Sequence, residues 1–434
     1  VVAALRVADR PLPTITLDPH ACAAWPVRPV IALESKGAPA LQWDTDLQWD
    51  TAGLVWDQST AAPLWIDATC DFTGADIDYG PPDDAGVFPA GRLAVTLDNR
   101  SGRWAPYTVD GSPAAFGAGQ RVAVWYTDRG AGQWWAFYGR ISTYDEHMGD
   151  TIELEAFDSF ADLAQSIGEY TPGTNGQLPG ARCAAIITAA AAPLVRTRFA
   201  TGVVTLTAQL TDNSPLEEIE RVTTSDGGVC YGDADGTVVT TERTWRAGRS
   251  DQTAIPVVGT NVCTAPIVLT DPVLTTSDEH VAGVVRLSNV AGLTATAQRS
   301  TDPRYVYAQT DQEWTLQSEG DALAGYIAAN AWQTRLGISS ADVYPLDPRT
   351  TAMLAAAGWR LLDRMRILHD SRTTTGLARV DVEALISELH HALTAETWIV
   401  SFGTTRALAY YAPQLWDQST FTWDNSNPLN VWGY

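Results

Sequence analysis

The sequence predicts a mainly β protein with an α+β portion in its middle, and three observations carry this. Runs mixing β-branched and aromatic residues alternate in polarity through the first 165 residues. A capped helix start and an Asp-Gly hairpin signal stand close together between Ser214 and Thr240. Strand-like runs return beyond residue 251. A chain of 434 residues exceeds one typical core, so about two to four domains are expected.

Val30–Leu33 opens the series as a short strand. Arg92–Leu97, Arg121–Tyr126 and Trp134–Ile141 follow, separated by turn-forming stretches at Asp98–Gly102 and Asp128–Gly130. Thr151–Ala156 alternates again and runs into Asp158, which can cap a short helix over Ser159–Gln165. The expected first unit is a barrel or strongly bent sheet with a closing helix. After a Gly/Pro-rich linker, Tyr170–Gly180, Ala181–Ala192 reads as a helix. Ser214-Pro215-Leu216-Glu217 is a capped helix start, and the helix should run to about Thr224. Asp226-Gly227-Gly228 stops it, and Val229–Tyr231 should pair with Thr237–Thr240 across Asp233-Ala234-Asp235-Gly236. In the last block, Val281–Asn289 and Tyr305–Ala308 read as strands and Leu323–Thr334 as a helix. Ala355–Leu368 starts helix-like and ends strand-like, and Trp398–Phe402 with Thr405–Tyr410 suggests a hairpin across Gly403.

Composition narrows the function. Fifty-one acidic residues against 28 basic ones give a net charge of −23. That balance argues against wrapping nucleic acid, which needs clustered Lys and Arg, but does not exclude a wall that repels DNA and lets it pass. A hydrophobic share of 45% is ample for burial. No apolar run approaches the roughly 20 residues that span a bilayer, and the N-terminus lacks the basic-then-apolar order of a secretion signal. Cys22, Cys70, Cys183, Cys230 and Cys263 lie far apart without a CxxC pair, so buried thiols are expected and a zinc knuckle is not.

Tryptophan is over-represented, at 17 against 9 Phe. Part of the excess sits in an internal echo. Leu54-Val55-Trp56-Asp57-Gln58-Ser59-Thr60 resembles Leu415-Trp416-Asp417-Gln418-Ser419-Thr420, with Trp43-Asp44, Trp49-Asp50, Trp65-Ile66-Asp67, Trp423-Asp424 and Trp432 around them. The spacing is too short for propeller blades of about 40 residues. These pieces read as turns or short strands in which Trp packs on the chain or on a partner. Sugar stacking by exposed Trp is the other reading.

Common catalytic signatures are missing. The sequence holds no HExxH, GxSxG, GxGxxG or Walker motif. His390-His391 cannot easily share a metal, because neighbours in a regular element face apart. Glu220 and Asp226 flank a helix end and make a weak glycosidase pair. Asp233–Gly236 lacks the Glu of a calcium loop, since Thr244 stands there, and reads as a hairpin turn. No cofactor, metal or catalytic residue is expected.

One ordered set of motifs resembles a known family. Leu93-Ala94-Val95-Thr96-Leu97-Asp98-Asn99-Arg100-Ser101-Gly102-Arg103-Trp104 resembles a pattern in minor tail proteins of actinobacteriophages. There it is followed by pieces that match Ser112-Pro113, Phe116-Gly117, Arg121–Trp125, Phe137-Tyr138-Gly139-Arg140-Ile141 and Leu154–Leu163. Downstream, Leu216–Val222, Ser225–Gly228, Asp233–Val238, Leu362–Ile367 and His390–Trp398 fall in the family's order. The resemblance touches about residues 70–400. Residues 41–67, the Ala/Thr-rich middle and the loop Gly248–Val262 depart from it.

The resemblance implies the hub of a siphophage baseplate: two tail-tube-like β-barrel domains with smaller inserted α+β domains. The expected division is 1–165, a first barrel domain with a Trp-Asp-rich insertion at 41–67. Then come 166–250, a small α+β domain; 251–410, a second tube-like β domain with helices; and 411–434, a Trp-rich assembly segment. It also implies a homotrimeric ring at the distal end of the tail. Its partners would be the distal tail ring, the tail tip or fibres, and the tape measure, with DNA passing without specific binding. Asn99, Gly102, Trp104 and Gly139 would fix the first barrel, and Gly228, Asp235 and Gly236 the hairpin of the second domain. Trp43, Trp49, Trp56, Trp65, Trp416, Trp423 and Trp432 are the expected partner contacts. The alternatives are a receptor- or carbohydrate-binding tail-tip protein and a cell-wall-degrading tail enzyme.

Overall fold

The computed structural model describes residues 27–35, 65–82, 88–107, 116–128, 133–147, 150–164, 171, 173–190, 196–208, 211–247, 252, 255–259, 265, 267–277, 283–298, 306–331, 335–345, 358–373, 376–394 and 396–406. The order begins β1 (Val27–Glu34), β2 (Trp65–Asp67), β3 (Phe72–Tyr79), β4 (Arg92–Asp98), β5 (Arg121–Asp128), β6 (Gln133–His147), β7 (Thr151–Phe157) and α1 (Ser159–Leu163). It continues with α2 (Pro179–Ala189), β8 (Arg196–Phe199), α3 (Pro215–Ser225), β9 (Cys230–Gly232), β10 (Thr237–Thr240), β11 (Val257–Gly259) and β12 (Ile267–Val268). The last part holds β13 (Thr270–Ser277), β14 (Val284–Asn289), β15 (Thr294–Gln298), β16 (Val306–Gln312), α4 (Gln317–Ala331), β17 (Arg335–Val343), β18 (Arg364–Thr373), β19 (Gly376–Thr394) and β20 (Trp398–Arg406). The protein is mainly β with few helices.

Among the described residues fourteen strands form one branched sheet, and β19 is its seam. Along one edge β19 carries β20, from Ala384 to Leu393. Its other edge is shared end to end, by β18 as far as Leu385 and by β3 from Leu389 onward. A register shift between Ile386 and Glu388 lies where the neighbours change, and such a bulge bends a strand. One limb runs β3-β4-β7-β6-β5-β1-β2, and the other runs β18-β11-β12, with β17 and β13 joined through β20.

The first limb curls over its own core. Tyr126 on β5 hydrogen-bonds His391 on β19 at 2.9 Å and stacks on Trp398 at 4.5 Å, although five pairings separate the two strands in the sheet. Tyr79 on β3 donates to the Ala136 carbonyl on β6 at 3.0 Å. Two irregularities in β6 aid the bend: Ala136 is extra against β5 and Ser142 is extra against β7. Among the described residues the pairing does not close into a ring, so this is the strongly bent sheet of the two sequence expectations.

A second hydrophobic core lies beside it. α1, α2, α3 and α4 cover two three-stranded sheets, β8-β10-β9 and β15-β14-β16. Phe160, Ile186, Ile219, Val222, Val238, Val285, Leu287, Trp314 and Leu323 are all buried in one cluster. That cluster runs across residue 250, where the sequence expectation drew a boundary. α3 has the expected capping box of Ser214 and Glu217. The hairpin β9–β10 pairs Val238 with Gly232 and Thr240 with Cys230, as read from the sequence.

Two sequence expectations fail. Gly403 is not a hairpin turn, because β20 runs straight through it and pairs it with Glu388. A Cβ there would meet Glu388 Oε2 at 2.9 Å and the Ser339 carbonyl at 3.2 Å, so this glycine serves close strand packing. Cys70 is exposed and not a buried thiol, whereas Cys183 and Cys230 are buried. Cys22 and Cys263 lie outside the described residues.

Candidate structural sites and their geometry

The Asn99–Trp104 turn is built around one side chain. Asn99 is 1% exposed. Its Oδ1 accepts from the Trp104 amide at 2.8 Å and its carbonyl accepts from Gly102 at 2.7 Å. Gly102 sits at φ +72°, a left-handed conformation that favours glycine. Trp104 is fully buried. Its Nε1 donates to Asp71 at 2.9 Å, its ring lies 4.8 Å from Phe116, and the Arg103 guanidinium lies over the ring at 4.6 Å. Tyr144 on β6 donates to the Trp104 carbonyl at 2.7 Å, which ties the turn to the sheet.

Gly139 allows β6 to approach β7. A Cβ there would fall 2.2 Å from the Phe157 carbonyl oxygen. The bulges of β6 lie on either side of Gly139 and not at it. Its neighbour Tyr138 joins three sequence-predicted sites. The ring lies 6.1 Å from Trp65, and the hydroxyl accepts from Arg121 at 2.7 Å. A Cβ on Gly236 would meet Tyr138 Cδ1 at 2.7 Å.

The hairpin of the small unit therefore inserts its tip against the large sheet. Gly236, at φ +74°, donates to the Asp233 carbonyl at 2.8 Å. Asp235 accepts from the Thr237 amide at 3.0 Å and faces Arg196 at 3.5 Å. Asp233 holds Arg198 at 3.0 Å and Arg360 at 3.4 Å. Gly228 ends α3 by donating to Thr223 at 3.0 Å, and a Cβ there would fall 2.0 Å from the Thr241 carbonyl oxygen. Trp43, Trp49, Trp56, Trp416, Trp423 and Trp432 lie outside the described residues.

Other sequence candidates take structural places. His391 is buried, and burial pushes its imidazole down to about 3, so it is neutral beside Tyr126. His390 points the other way, 3.5 Å from Asp76. Asp226 accepts from the Val203 and Val204 amides at 2.9 and 3.1 Å, which makes it a loop anchor. Among the described residues no three His, Cys, Asp or Glu side chains are placed to hold a metal ion, and no helix is long and apolar enough to cross a membrane.

Sequence reasoning passed over a buried charge network in the small unit. Arg182 on α2 and Glu313 pair at 3.1 Å with both side chains at 0% exposure. Arg221 stands 2.9 Å from Glu313 and also pairs with Glu218. Burial pushes the Glu313 carboxyl up, and Arg221 and Arg182 pull it back. Arg182 also donates to the Thr174 and Thr207 carbonyls, at 3.0 and 2.8 Å. A lone Arg in an Ala-rich helix was the only trace of this in the sequence.

Solved structures supply the comparison. A 43 kDa tail protein of prophage MuSo2 from Shewanella oneidensis aligns over 87% of this chain and 98% of its own, with TM-score 0.50 and 14% identity. A tail protein from Neisseria meningitidis MC58 aligns over 87% and 96%, with TM-score 0.54 and 10% identity. The chain has the fold of these tail proteins. At such identities the likeness speaks for the fold alone. No protein-family model and no curated protein sequence matches the chain.

Proposed function

We propose that this protein is a structural tail hub, or minor tail protein, of a long-tailed actinobacteriophage, with a mechanical and not a catalytic role. The observation that carries this reading is a fold shared with tail proteins across 87% of the chain. In the proposal three copies close a ring at the distal end of the tail. The ring joins the tail tube to the distal tail ring, the tip or fibres and the tape measure. In the same proposal the two limbs of the sheet, bent but not closed within one chain, serve as the two tube-like domains, one within residues 1–165 and one within 251–410. The α+β unit decorates them, and 411–434 serves as an assembly segment. Closed symmetry defines the channel, and pairing between subunits satisfies exposed strand edges. The Trp-Asp segments clasp neighbouring tail proteins.

An acidic surface supports DNA passage. The sheet face carrying Asp76, Asp78, Glu153, Glu155 and Glu388 alternates with the buried face of β3, β7 and β19. Like charge would keep DNA from adhering during ejection. The test of the whole reading is the native mass of the purified or virion-derived protein. Three chains per particle are expected, and a stable monomer would overturn the ring.

A further inference from the structure

A buried carboxylate sits where the two cores meet. Asp158 follows β7 and caps α1 at 1% exposure. Its Oδ1 accepts from the Phe160 amide and its Oδ2 from the Gly91 amide, each at 2.9 Å. The hairpin presses on the same group, since a Cβ on Gly232 would fall 2.1 Å from Oδ2. Ser159 donates to the Gly236 carbonyl at 2.7 Å, which fastens the start of α1 to the hairpin tip. Among the described residues the two amides are its only hydrogen-bond donors, and no cation pairs with it.

The charged and titratable groups around it come from every packed element. β3 brings Tyr79, a phenol that burial keeps protonated. α1 brings Asp162, paired with Arg140 of β6 at 3.1 Å. β9 brings Cys230, a thiol that burial keeps protonated. The hairpin brings Asp233 and Asp235, which hold Arg196, Arg198 and Arg360. β19 brings His391, which lines one small cavity with Tyr79, Gly232, Asp233 and Arg360. The cations thus pair with the hairpin acids and leave Asp158 to two amides.

We infer that Asp158 is a proton-controlled clasp: protonated, it holds the β9–β10 hairpin against the large sheet, and ionised, it loosens that docking. A buried carboxylate without a cation partner is costly, and adding a proton removes the charge. Burial raises this carboxyl to about 7, against the pull of the Gly91 and Phe160 amides, and Asp162 adds to the rise. The docked state then binds more protons than the open one between the ordinary carboxylate range and about 7. Docking therefore weakens as pH rises through that window and levels off above it. His391 acts oppositely below its ordinary value, because opening lets it take a proton.

The test compares the full-length protein with Asp158→Asn, which carries no charge and keeps one acceptor for the Phe160 cap while giving up the bond from Gly91, so the shape of the pH profile and not its height is compared. Hydrogen exchange is followed at the Asp233 and Gly236 amides, both bonded within the hairpin, from pH 5 to 8 with intrinsic rates divided out. Relative to the variant, wild-type opening should grow about tenfold per pH unit up to about 7 and then level. Parallel profiles for the two proteins would overturn the clasp. An infrared titration of the wild-type chain gives a second reading that needs no variant. A buried protonated carboxyl band that fades between pH 6 and 8 is expected, and no such band would overturn the inference.

Discussion

The large sheet and the small α+β unit fill their interiors by different means. Inside the sheet, rings interlock: Tyr126 on Trp398, Trp125 against Trp135, and Trp135 against Tyr138. Inside the small unit, Arg182, Glu313 and Glu218 are wholly buried among Ile186, Ile219, Val222 and Trp314. Packed rings lose contact energy gradually when they shift, because each dispersion contact is small and has no single obligatory partner. A buried ion pair fails more steeply, since losing one partner leaves the other charge buried and uncompensated. The difference teaches that the sheet gains adaptable bulk, whereas the small unit gains a fixed arrangement of α2, α3 and the segment before α4.

The largest effect should therefore come from the smaller unit. Glu313→Ala leaves the buried Arg182 charge without its acid and Arg221 with Glu218 alone, and should cost about 3–5 kcal/mol in denaturant unfolding. A loss under 1 kcal/mol would break the contrast. Next, Gly139→Val drives a side chain into the Phe157 carbonyl, and should cost roughly 1–3 kcal/mol or more. It should also impair assembly by native mass, and normal assembly would show that β6 and β7 can separate. Trp104→Phe keeps the packing on Phe116 but removes the bond to Asp71. About 1.5–3 kcal/mol of loss is expected from a bond to a charged acceptor. The smallest effect belongs to Ser214→Ala, which removes half of the capping box and should lower stability by about 1 kcal/mol. A larger loss than that of Trp104→Phe would mean that α3 and not the turn limits cooperativity.

Local chemistry made much of this legible in advance. Asp158 and Ser214 cap the helices that their sequences announce. Asp233–Gly236 turns the hairpin, and Asn99 with Gly102 turns the chain after β4. Strand β19 was far less legible. Leu385, Leu389 and Leu393 recur every four residues, a helical spacing, yet the segment is a strand of 19 residues. Its conformation depends on β18, β20 and β3, partners distant in sequence, which outweigh local propensity. Gly403 misled for a related reason, since a glycine in a strand and one in a turn look alike until a neighbour such as Glu388 closes in.

The sequence by itself determined what depends on a few adjacent residues: the alternation of the strands, the caps, the turns and the net charge of −23. Only the tertiary structure decided what depends on distant ones. It curled β5 onto β19, buried Arg182 against Glu313, and brought Tyr138, Trp65 and Gly236 to one junction. Hydrogen bonds within a turn act across a few residues and leave a local signature. Packing and charge burial act through space, and their partners are set only when the chain has closed on itself.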